Sequence, residues 1–292
     1  NTIKSMVRVH SEGEGEGEGE GELYNPAAAN WRMIAYYLGR CLRNTPWNVS
    51  ACLPVYKLKV TKLPDEGGLK VVASDNLCKV TFKPCTVYLI DVDQNCEDEH
   101  HETGLHSNVL VCDSIGDLHR FEPYYAQTVL ETIRLQTALD TFLLAFLSKQ
   151  ELTYKPMLEE VKQICPFGPQ MVDSTYTTTR KDYEHYCLVW CSAFVCYLVK
   201  TQCNKDKVQG LGGWITGLVE NLGLQVPKNV SEAFAYSQSY STRIRKYGQD
   251  IVATGKLAPP PPQGWPEKGK KRKREGPNGN ALHIHIQWIP VS

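Results

Sequence analysis

Cys187, His106 and Glu122 are residues of this chain whose types could together activate a nucleophile. Cys187 lies at the start of the apolar run YCLVWCSAFVCYLVK, residues 186–200. A thiol at a helix start feels the positive end of the helix dipole, which lowers its pKa from about 8.5 to roughly 3.5–7.5. A carboxylate that orients an imidazole lets the other ring nitrogen take the thiol proton. The alternative is that the cysteines of this run are small core hydrophobes.

The separation of His106 and Glu122 decides whether their side chains can meet. They lie in two short strand patterns, HSNVLVCD and DLHRFEP. An even separation requires an odd-numbered loop, or a bulge, between antiparallel strands if the two side chains are to share a face. Residues 114–116, SIG, supply a three-residue loop whose last residue suits the left-handed conformation. In that register Asn108 faces Glu122, and His106 is the diagonal neighbour of Glu122.

A catalytic thiol also needs donors for the oxyanion that forms when it attacks an amide. Removing one such donor typically costs about 10² to 10³ in rate. The backbone N–H of Cys187 and the side-chain amide of Gln170 are the candidate donors. Two alternatives stay open. Gln170 could be a polar turn residue, and Asp113 rather than Glu122 could partner His106.

A buried helix and a mixed sheet must hold these side chains. The run at residues 186–200 is apolar on every side, which predicts a helix buried on all faces. The run VYLIDV at residues 87–92 predicts a central strand. We therefore predict the α+β class, with a mixed β-sheet packed against a central buried helix that carries the nucleophile, and with additional helices. Those helices are predicted at residues 25–43, 127–148, 210–222 and 231–245. Further strands are predicted at residues 55–63, 69–73 and 78–82, and loops at residues 94–104, 165–170 and 171–185.

Composition divides the chain into segments. Equal numbers of basic and acidic side chains, 32 of each in 292 residues, argue against a dedicated nucleic-acid binder. We predict a disordered acidic Gly-Glu tether (1–24), one globular domain (25–255), a Pro-rich and basic linker (256–280) and a C-terminal strand (281–292). Within the linker, Lys268–Arg274 is interpreted as a nuclear-import signal, a nucleic-acid patch or a solvated stretch.

The cysteines and histidines bound the compartment and the cofactors. Eleven cysteines at irregular spacings, with no CxxC pair, indicate reduced thiols and no structural zinc site. This predicts an intracellular reducing compartment or a virion, with the nucleus as a further option. No signal peptide or membrane span is evident, so no membrane partner is expected. His283 and His285 alternate as two metal ligands would, but no third ligand is nearby, so we expect no metal and no cofactor.

These residues resemble the adenovirus-maturation-protease and SUMO-protease superfamily of cysteine peptidases, in its large-DNA-virus type. The chain order His, Glu, Gln, Cys is the order of that superfamily. The resemblance covers scattered blocks between residues 87 and 251. The similar blocks are RFEPYY (120–125), HSN (106–108), YCLVWCSAF (186–194), FGPQ (167–170) and TRIRKYGQDI (242–251).

The resemblance implies a cysteine peptidase-like domain at residues 25–255. It implies an endopeptidase or isopeptidase that cleaves a viral precursor or a ubiquitin-like modifier near small residues. Cys187 would be the nucleophile and His106 the general base. Glu122 would orient His106, and Gln170 would form the oxyanion hole with the Cys187 N–H.

The chain also departs from the family pattern. Tyr186 and Leu188 flank the cysteine where the family usually has glycine, and Ser107 stands where many members have tryptophan. Gln170 precedes Cys187 by more residues than in the compact members. Because side chains beside the cysteine could crowd the substrate, the alternative is a catalytically inactive, protease-like interaction module.

Overall fold

The computed structural model describes residues 31–50, 56–62, 68–95, 105–162, 166–174, 186–201, 210–255 and 283–285. The predicted acidic tether, the basic cluster Lys268–Arg274 and most of the predicted C-terminal strand lie outside these residues. The metal hypothesis for His283 and His285 concerns side chains outside the described part of the structure.

Helices and strands alternate irregularly along the chain. The helices are α1 (Trp31–Cys41), α2 (Asp75–Cys78), α3 (Leu130–Ser148), α4 (Met157–Val161), α5 (Pro169–Ser174), α6 (Tyr186–Thr201), α7 (Leu211–Asn221) and α8 (Val230–Gly255). The strands are β1 (Asn48–Ser50), β2 (Tyr56–Lys62), β3 (Leu69–Ala73), β4 (Thr86–Asn95), β5 (Leu105–Cys112), β6 (Leu118–Phe121), β7 (Tyr154–Lys155) and β8 (His283–His285).

The strands form one mixed sheet in the order β7-β6-β5-β4-β2-β3-β8. β4 pairs antiparallel with β5 on one side. On the other side it pairs parallel with β1 through residues 86–88 and with β2 through residues 90–95. The prediction that VYLIDV forms a central strand is therefore confirmed, since β4 has strand neighbours on both edges.

The sheet separates two hydrophobic cores, and alternate residues of β5 enter different ones. Val109 and Val111 pack in the core that contains α6, whereas Leu110 and Cys112 pack in the core that contains α3. This alternation follows from the pleat, which directs successive side chains to opposite faces. The chain thus has the predicted α+β fold, with helices on both faces of a mixed sheet.

α6 carries apolar residues on every side, and most of its residues are buried. Trp190, Cys191 and Phe194 are completely buried. The ring of Phe194 stacks on Phe121 of β6, with centroids 4.1 Å apart and planes 7° apart. The prediction of a helix buried on all faces is confirmed. None of the described helices combines the length and apolar character needed to cross a membrane.

Several short elements differ from the sequence predictions. Residues 78–82 are predicted to form a strand, but α2 ends at Cys78 and the next residues are irregular, leading to Lys83, whose N–H donates to the hydroxyl of Tyr88 in β4 at 2.7 Å. α5 forms where a turn and a loop were expected, with Pro169 at its first position, where a missing N–H costs nothing. α8 continues ten residues past the predicted end at Arg245, because Ile251 is fully buried in the core.

Asp173 lies on α5 and is only 3% exposed. Burial raises the pKa of Asp173 to about 7, because desolvation outweighs the opposing effects of the Ser241 hydroxyl and the Arg245 guanidinium. Its Oδ1 is buried and has no hydrogen-bond partner within the described residues. The packing of α5 against α8 therefore holds a carboxyl group that is poorly solvated when it is ionised.

The substitution Asp173→Asn is expected to stabilise the fold at neutral pH. An unfolded aspartate titrates near pH 3.9, whereas the folded carboxyl keeps its proton up to about pH 7. The wild type therefore loses stability as the pH rises through this window, by an amount on the order of 4 kcal/mol. Urea unfolding from about pH 4 to pH 8 should show this decline in the wild type and a smaller one in the variant. Asp250→Asn, at an exposed position of α8, should keep the wild-type slope. An unchanged slope in Asp173→Asn would contradict the assignment.

Candidate active site

The β5–β6 hairpin has the register that the sequence predicts. Val109 lies opposite Phe121, and the N–H of Asp113 donates to the carbonyl of Asp117 at 2.9 Å. Residues 114–116 form the loop between them, and the glycine that ends this loop has a φ of 97°. Only glycine adopts this conformation without a steric cost. The predicted three-residue loop is confirmed.

Glu122 lies just beyond β6, and only 2% of its side chain is exposed. Asn108, its opposite neighbour when the register is continued, donates from Nδ2 to Glu122 Oε2 at 2.9 Å. The backbone N–H of Tyr124 donates to Oε1 at 2.8 Å. Oε1 also lies 3.6 Å from Nδ1 of His106. Both carboxylate oxygens are therefore held, and Oε1 faces the imidazole.

The imidazole of His106 is at the edge of the buried region, with 23% of the side chain exposed. Its ring packs against Tyr124, with centroids 5.4 Å apart and planes 31° apart. Nδ1 is buried and has no hydrogen-bond partner within the described residues. A separation of 3.6 Å from Glu122 is slightly longer than a hydrogen bond. Catalytic hydrogen bonds are often long until substrate binds, so a small movement of the ring would complete this pair.

Asp113, the alternative partner of His106, has a different role. Its Oδ1 accepts three 2.9 Å hydrogen bonds from the backbone N–H groups of residues 115–117. Its Oδ2 lies 3.4 Å from Nε2 of His119, whose Nδ1 lies 3.0 Å from Glu160. Burial alone lowers the pKa of His119, but Glu160 and Asp113 together raise it. Asp113 closes the hairpin turn and is not the carboxylate beside His106.

Gln170 is held beside residues 123–125, which follow Glu122, by hydrogen bonds from its own segment. Its N–H donates to the carbonyl of Pro123 at 2.9 Å, and the N–H of Gly168 donates to the carbonyl of Tyr125 at 2.8 Å. A Cβ on Gly168 would lie 2.3 Å from the Pro123 oxygen, so the close approach requires glycine. The Gln170 side chain is 6% exposed, and its Oε1 has no hydrogen-bond partner within the described residues. The structure brings Gln170 to the residue that follows Glu122.

Cys187 lies in the first turn of α6 and is 3% exposed. Its sulfur is hydrogen-bonded to the backbone and the hydroxyl of Ser107. One helical turn later, Cys191 donates its thiol to the Ser107 carbonyl at 3.2 Å. The Ser107 hydroxyl donates to Asp91 at 3.2 Å. The start of α6 therefore packs on Ser107, the residue that follows His106.

The pleat of β5 separates the thiol of Cys187 from the imidazole of His106. Ser107 faces α6, and His106 faces the other side of the sheet with its strand partner Val92, which lies in the α3 core. No hydrogen bond joins the Cys187 sulfur to the His106 ring among the described residues. We expected α6 to present Cys187 directly to His106, and this contact is not formed.

The environment of Cys187 also reverses the pKa that its position on the helix suggested. Burial raises the pKa of Cys187 to about 11, and the charges of Glu122 and Asp91 act in the same direction. The hydrogen bonds with Ser107 lower it by less. The helix start was expected to favour the thiolate, but desolvation outweighs that effect, and the thiol is neutral at pH 7.

Sequence reasoning did not assign a role to three residues that contact the site. Asn108 and Tyr124 both donate hydrogen bonds to Glu122, and Ser107 contacts Cys187. The signal for Asn108 was present, because the predicted register already placed it opposite Glu122. The backbone donor of Tyr124 could not be found from a side-chain pattern.

Comparisons of this chain with models of protein families, with curated proteins and with solved structures found no match. The resemblance to the adenovirus-maturation-protease and SUMO-protease superfamily therefore remains a prediction from the quoted residues. Within the described residues, no group of three or more His, Cys, Asp or Glu side chains is arranged to hold a metal ion.

Another cysteine, outside this site, has the properties of a reactive thiol. Cys41 of α1 is partly exposed. A hydrogen bond with Cys196 of α6 lowers the pKa of Cys41, burial opposes this effect, and Tyr37, Lys200 and Arg40 act in the same direction as Cys196. The most nucleophilic thiol of the pair is therefore Cys41.

Iodoacetamide at pH 7 is expected to alkylate Cys41 much faster than Cys187. The pKa of Cys41 is lowered and that of Cys187 is raised, so a larger fraction of the Cys41 thiol is ionised at that pH, and Cys41 is also the more exposed of the two. Mass spectrometry of peptides after timed alkylation measures both rates. Cys196→Ala should slow the reaction at Cys41, because the hydrogen bond that lowers its pKa is lost. Equal rates at Cys41 and Cys187 in the native protein would show that Cys187 is ionised and the burial argument is wrong.

Proposed function

We propose that this chain is a cysteine endopeptidase or isopeptidase. The observation that carries the proposal is the buried carboxylate of Glu122, which faces the imidazole of His106 at 3.6 Å and whose charge raises the pKa of the Cys187 thiol. Gln170 supports it, because its segment is hydrogen-bonded to the turn that follows Glu122. These residues come from elements far apart in the sequence, yet they lie around Ser107 and Pro123.

Each residue has a distinct role in the proposed reaction. His106 takes the thiol proton of Cys187 on Nε2 while Glu122 accepts from Nδ1 and stabilises the imidazolium. The thiolate attacks the amide carbon, and the oxyanion accepts hydrogen bonds from the Cys187 N–H and the Gln170 side chain. His106 then gives its proton to the leaving amine, which leaves a thioester. Water, deprotonated by His106, hydrolyses the thioester and regenerates the thiol.

The proposed reaction requires the thiol and the imidazole to approach each other. Cys187 is hydrogen-bonded to Ser107 in the structure, and His106 is partly exposed at the end of β5. The proposed reaction therefore needs a movement at the end of β5, where His106 lies, that brings Nε2 toward the sulfur. An approaching imidazolium would favour the thiolate, because an opposite charge nearby stabilises the charged form.

The substrate class is proposed from the resemblance. Members of the superfamily cleave near small residues, either in a viral precursor or at the tail of a ubiquitin-like modifier. Tyr186 and Leu188, the sequence neighbours of the nucleophile, are both buried in the core that contains α6.

Covalent labelling by an electrophilic Gly-Gly peptide tests the peptidase proposal. A peptide vinyl sulfone of this type should label Cys187 in the variant Cys41→Ser, which removes the thiol with the lowered pKa. His106→Ala should slow the labelling by about 10² to 10⁴, because the thiol then lacks its base. The labelled residue is identified by mass spectrometry of the intact protein and its peptides.

The matched control is Cys191→Ala, because Cys191 also bonds to Ser107 but is not the proposed nucleophile. This variant should keep the labelling. Equal labelling in the wild type and in Cys187→Ala, both in the Cys41→Ser background, would count against the proposal.

A protease-like interaction module is the second candidate, and the burial of Cys187 favours it. The thiol is 3% exposed and neutral at pH 7, and it bonds to Ser107 instead of an imidazole. A module of this kind would bind a Gly-Gly peptide ester without turning it over. Binding that is equally tight in the wild type and in Cys187→Ala, with no product formed, would support this candidate over the peptidase.

A further inference from the structure

A network of buried polar side chains runs behind Glu122, on the face of the sheet that packs against α3. At its centre is Arg120, which is completely buried. Its Nη2 donates to Asp140 at 2.9 Å, and its Nε donates to the Tyr154 hydroxyl at 3.4 Å. Its Nη1 donates to Gln136 at 2.7 Å and to Asn108 at 3.0 Å. Arg120 therefore joins β6 to α3, β7 and β5 through buried hydrogen bonds.

The charge of Arg120 is permanent in this environment. Burial alone lowers the pKa of Arg120, but Asp140 and its other partners more than offset this and raise it above the usual value. Asp140 is held in turn by the Tyr154 hydroxyl at 2.7 Å and by the N–H of Leu158 at 3.1 Å. Removing one partner from such a network leaves a buried group unpaired, which is costly. The guanidinium is therefore fixed in position.

This fixed guanidinium determines how the amide of Asn108 is oriented. Arg120 has only donors, so the atom of Asn108 that faces it must be the oxygen Oδ1. Nδ2 must then point to the other side, where it donates to Glu122 Oε2 at 2.9 Å. A flipped amide would place a donor against a donor on one side and two acceptors together on the other. The orientation of Asn108 is thus imposed by Arg120.

The orientation of Asn108 in turn selects which oxygen of Glu122 faces His106. Oε2 is held by Asn108, so Oε1 is left for the Tyr124 N–H and the imidazole. Of the charged members, Arg120 and Asp140 neutralise each other, and the charge of Glu122 remains. The His106 side chain, which is 23% exposed, connects this buried network to the solvent.

We propose that Asn108, oriented by Arg120, is a positioning residue that fixes the Glu122 carboxylate and so sets the tautomer of His106. With Oε1 fixed as an acceptor beside Nδ1, the neutral ring carries its proton on Nδ1 and keeps Nε2 free as a base. This inference rests on the proposed function for its catalytic meaning, but the tautomer exists whether or not the chain cleaves anything.

The variants Asn108→Asp and Asn108→Ala separate the two contacts of Asn108. An ionised aspartate still accepts from Arg120 but has no hydrogen to donate to Glu122, and alanine loses both contacts. Gln136→Ala is the matched control, because Gln136 accepts from Arg120 at 2.7 Å but does not contact Glu122. Glu122→Ala is the positive control for loss of the carboxylate. Thermal unfolding of each variant establishes that it is folded.

Long-range ¹H–¹⁵N NMR of the His106 ring reads the tautomer directly, without any substrate. The wild type and Gln136→Ala should show the Nδ1–H form, and Glu122→Ala should lose it. Both Asn108 variants should shift toward the Nε2–H form. Their labelling by the Gly-Gly vinyl sulfone should be slower by about ten- to a hundredfold, as for other outer partners that hold a histidine in place. If Asn108→Asp does not fold, Asn108→Ala, which also has no donor to Glu122, carries the test alone.

The outcomes separate this inference from the peptidase proposal. A tautomer change in the Asn108 variants without any labelling of the wild type supports the positioning role and overturns the peptidase. Labelling of the wild type, with the wild-type tautomer and rate kept in the Asn108 variants, overturns the positioning role and leaves the peptidase standing. A tautomer change in Gln136→Ala as large as in the Asn108 variants also overturns the positioning role.

Discussion

The pleat of β5 is the constraint on which the arrangement of the site depends. Because successive side chains leave opposite faces of the sheet, Ser107 contacts the start of α6 while His106 and Asn108 lie on the α3 side. The same alternation divides the apolar residues of this strand between two cores, so its register cannot slip without exposing both. The carboxylate and the imidazole are therefore assembled by the sheet, whereas the thiol belongs to the helix on the other face. Any chemistry that joins them must take place around the end of the strand.

Two of the histidines described here, His106 and His119, pair with carboxylates, and their surroundings give them different capabilities. His119 is only 3% exposed and lies between Asp113 and Glu160, with its ring edge against Trp214 at 4.8 Å. Glu160, on α4, also accepts a hydrogen bond from the N–H of Leu211 at the start of α7. The cluster therefore links the β5–β6 hairpin to α4 and α7. His106 has its carboxylate on one side and partial exposure on the other. A histidine that is oriented by a carboxylate and also exchanges protons needs one ring nitrogen that faces no carboxylate. Of the two, only His106 has such a nitrogen near the surface, because both ring nitrogens of His119 face carboxylates.

Patterns with a fixed period predicted much of the framework from the sequence. The period of two, combined with an odd loop, gave the register that places Asn108 opposite Glu122, and the all-round apolar run predicted α6. Short elements escaped prediction because tertiary contacts define them. α5 follows a segment that is hydrogen-bonded to residues 123–125, and no local pattern encodes that partner. The pKa of Cys187 escaped for a related reason, since a helix start is visible in the sequence but the depth of its burial is not.

The two strands that end the sheet order, β7 and β8, are short. β7 has two residues and β8 has three, whereas β2, β4 and β5 between them are much longer. Unpaired N–H and C=O groups along a long outer strand would offer a template on which a second chain could add by strand addition. β8 covers residues 70–72 of β3 with antiparallel hydrogen bonds and so occupies part of such a template. At the β7 margin, the paired backbone of the described chain is only two residues long, so it offers little template to a second chain or to a ligand peptide.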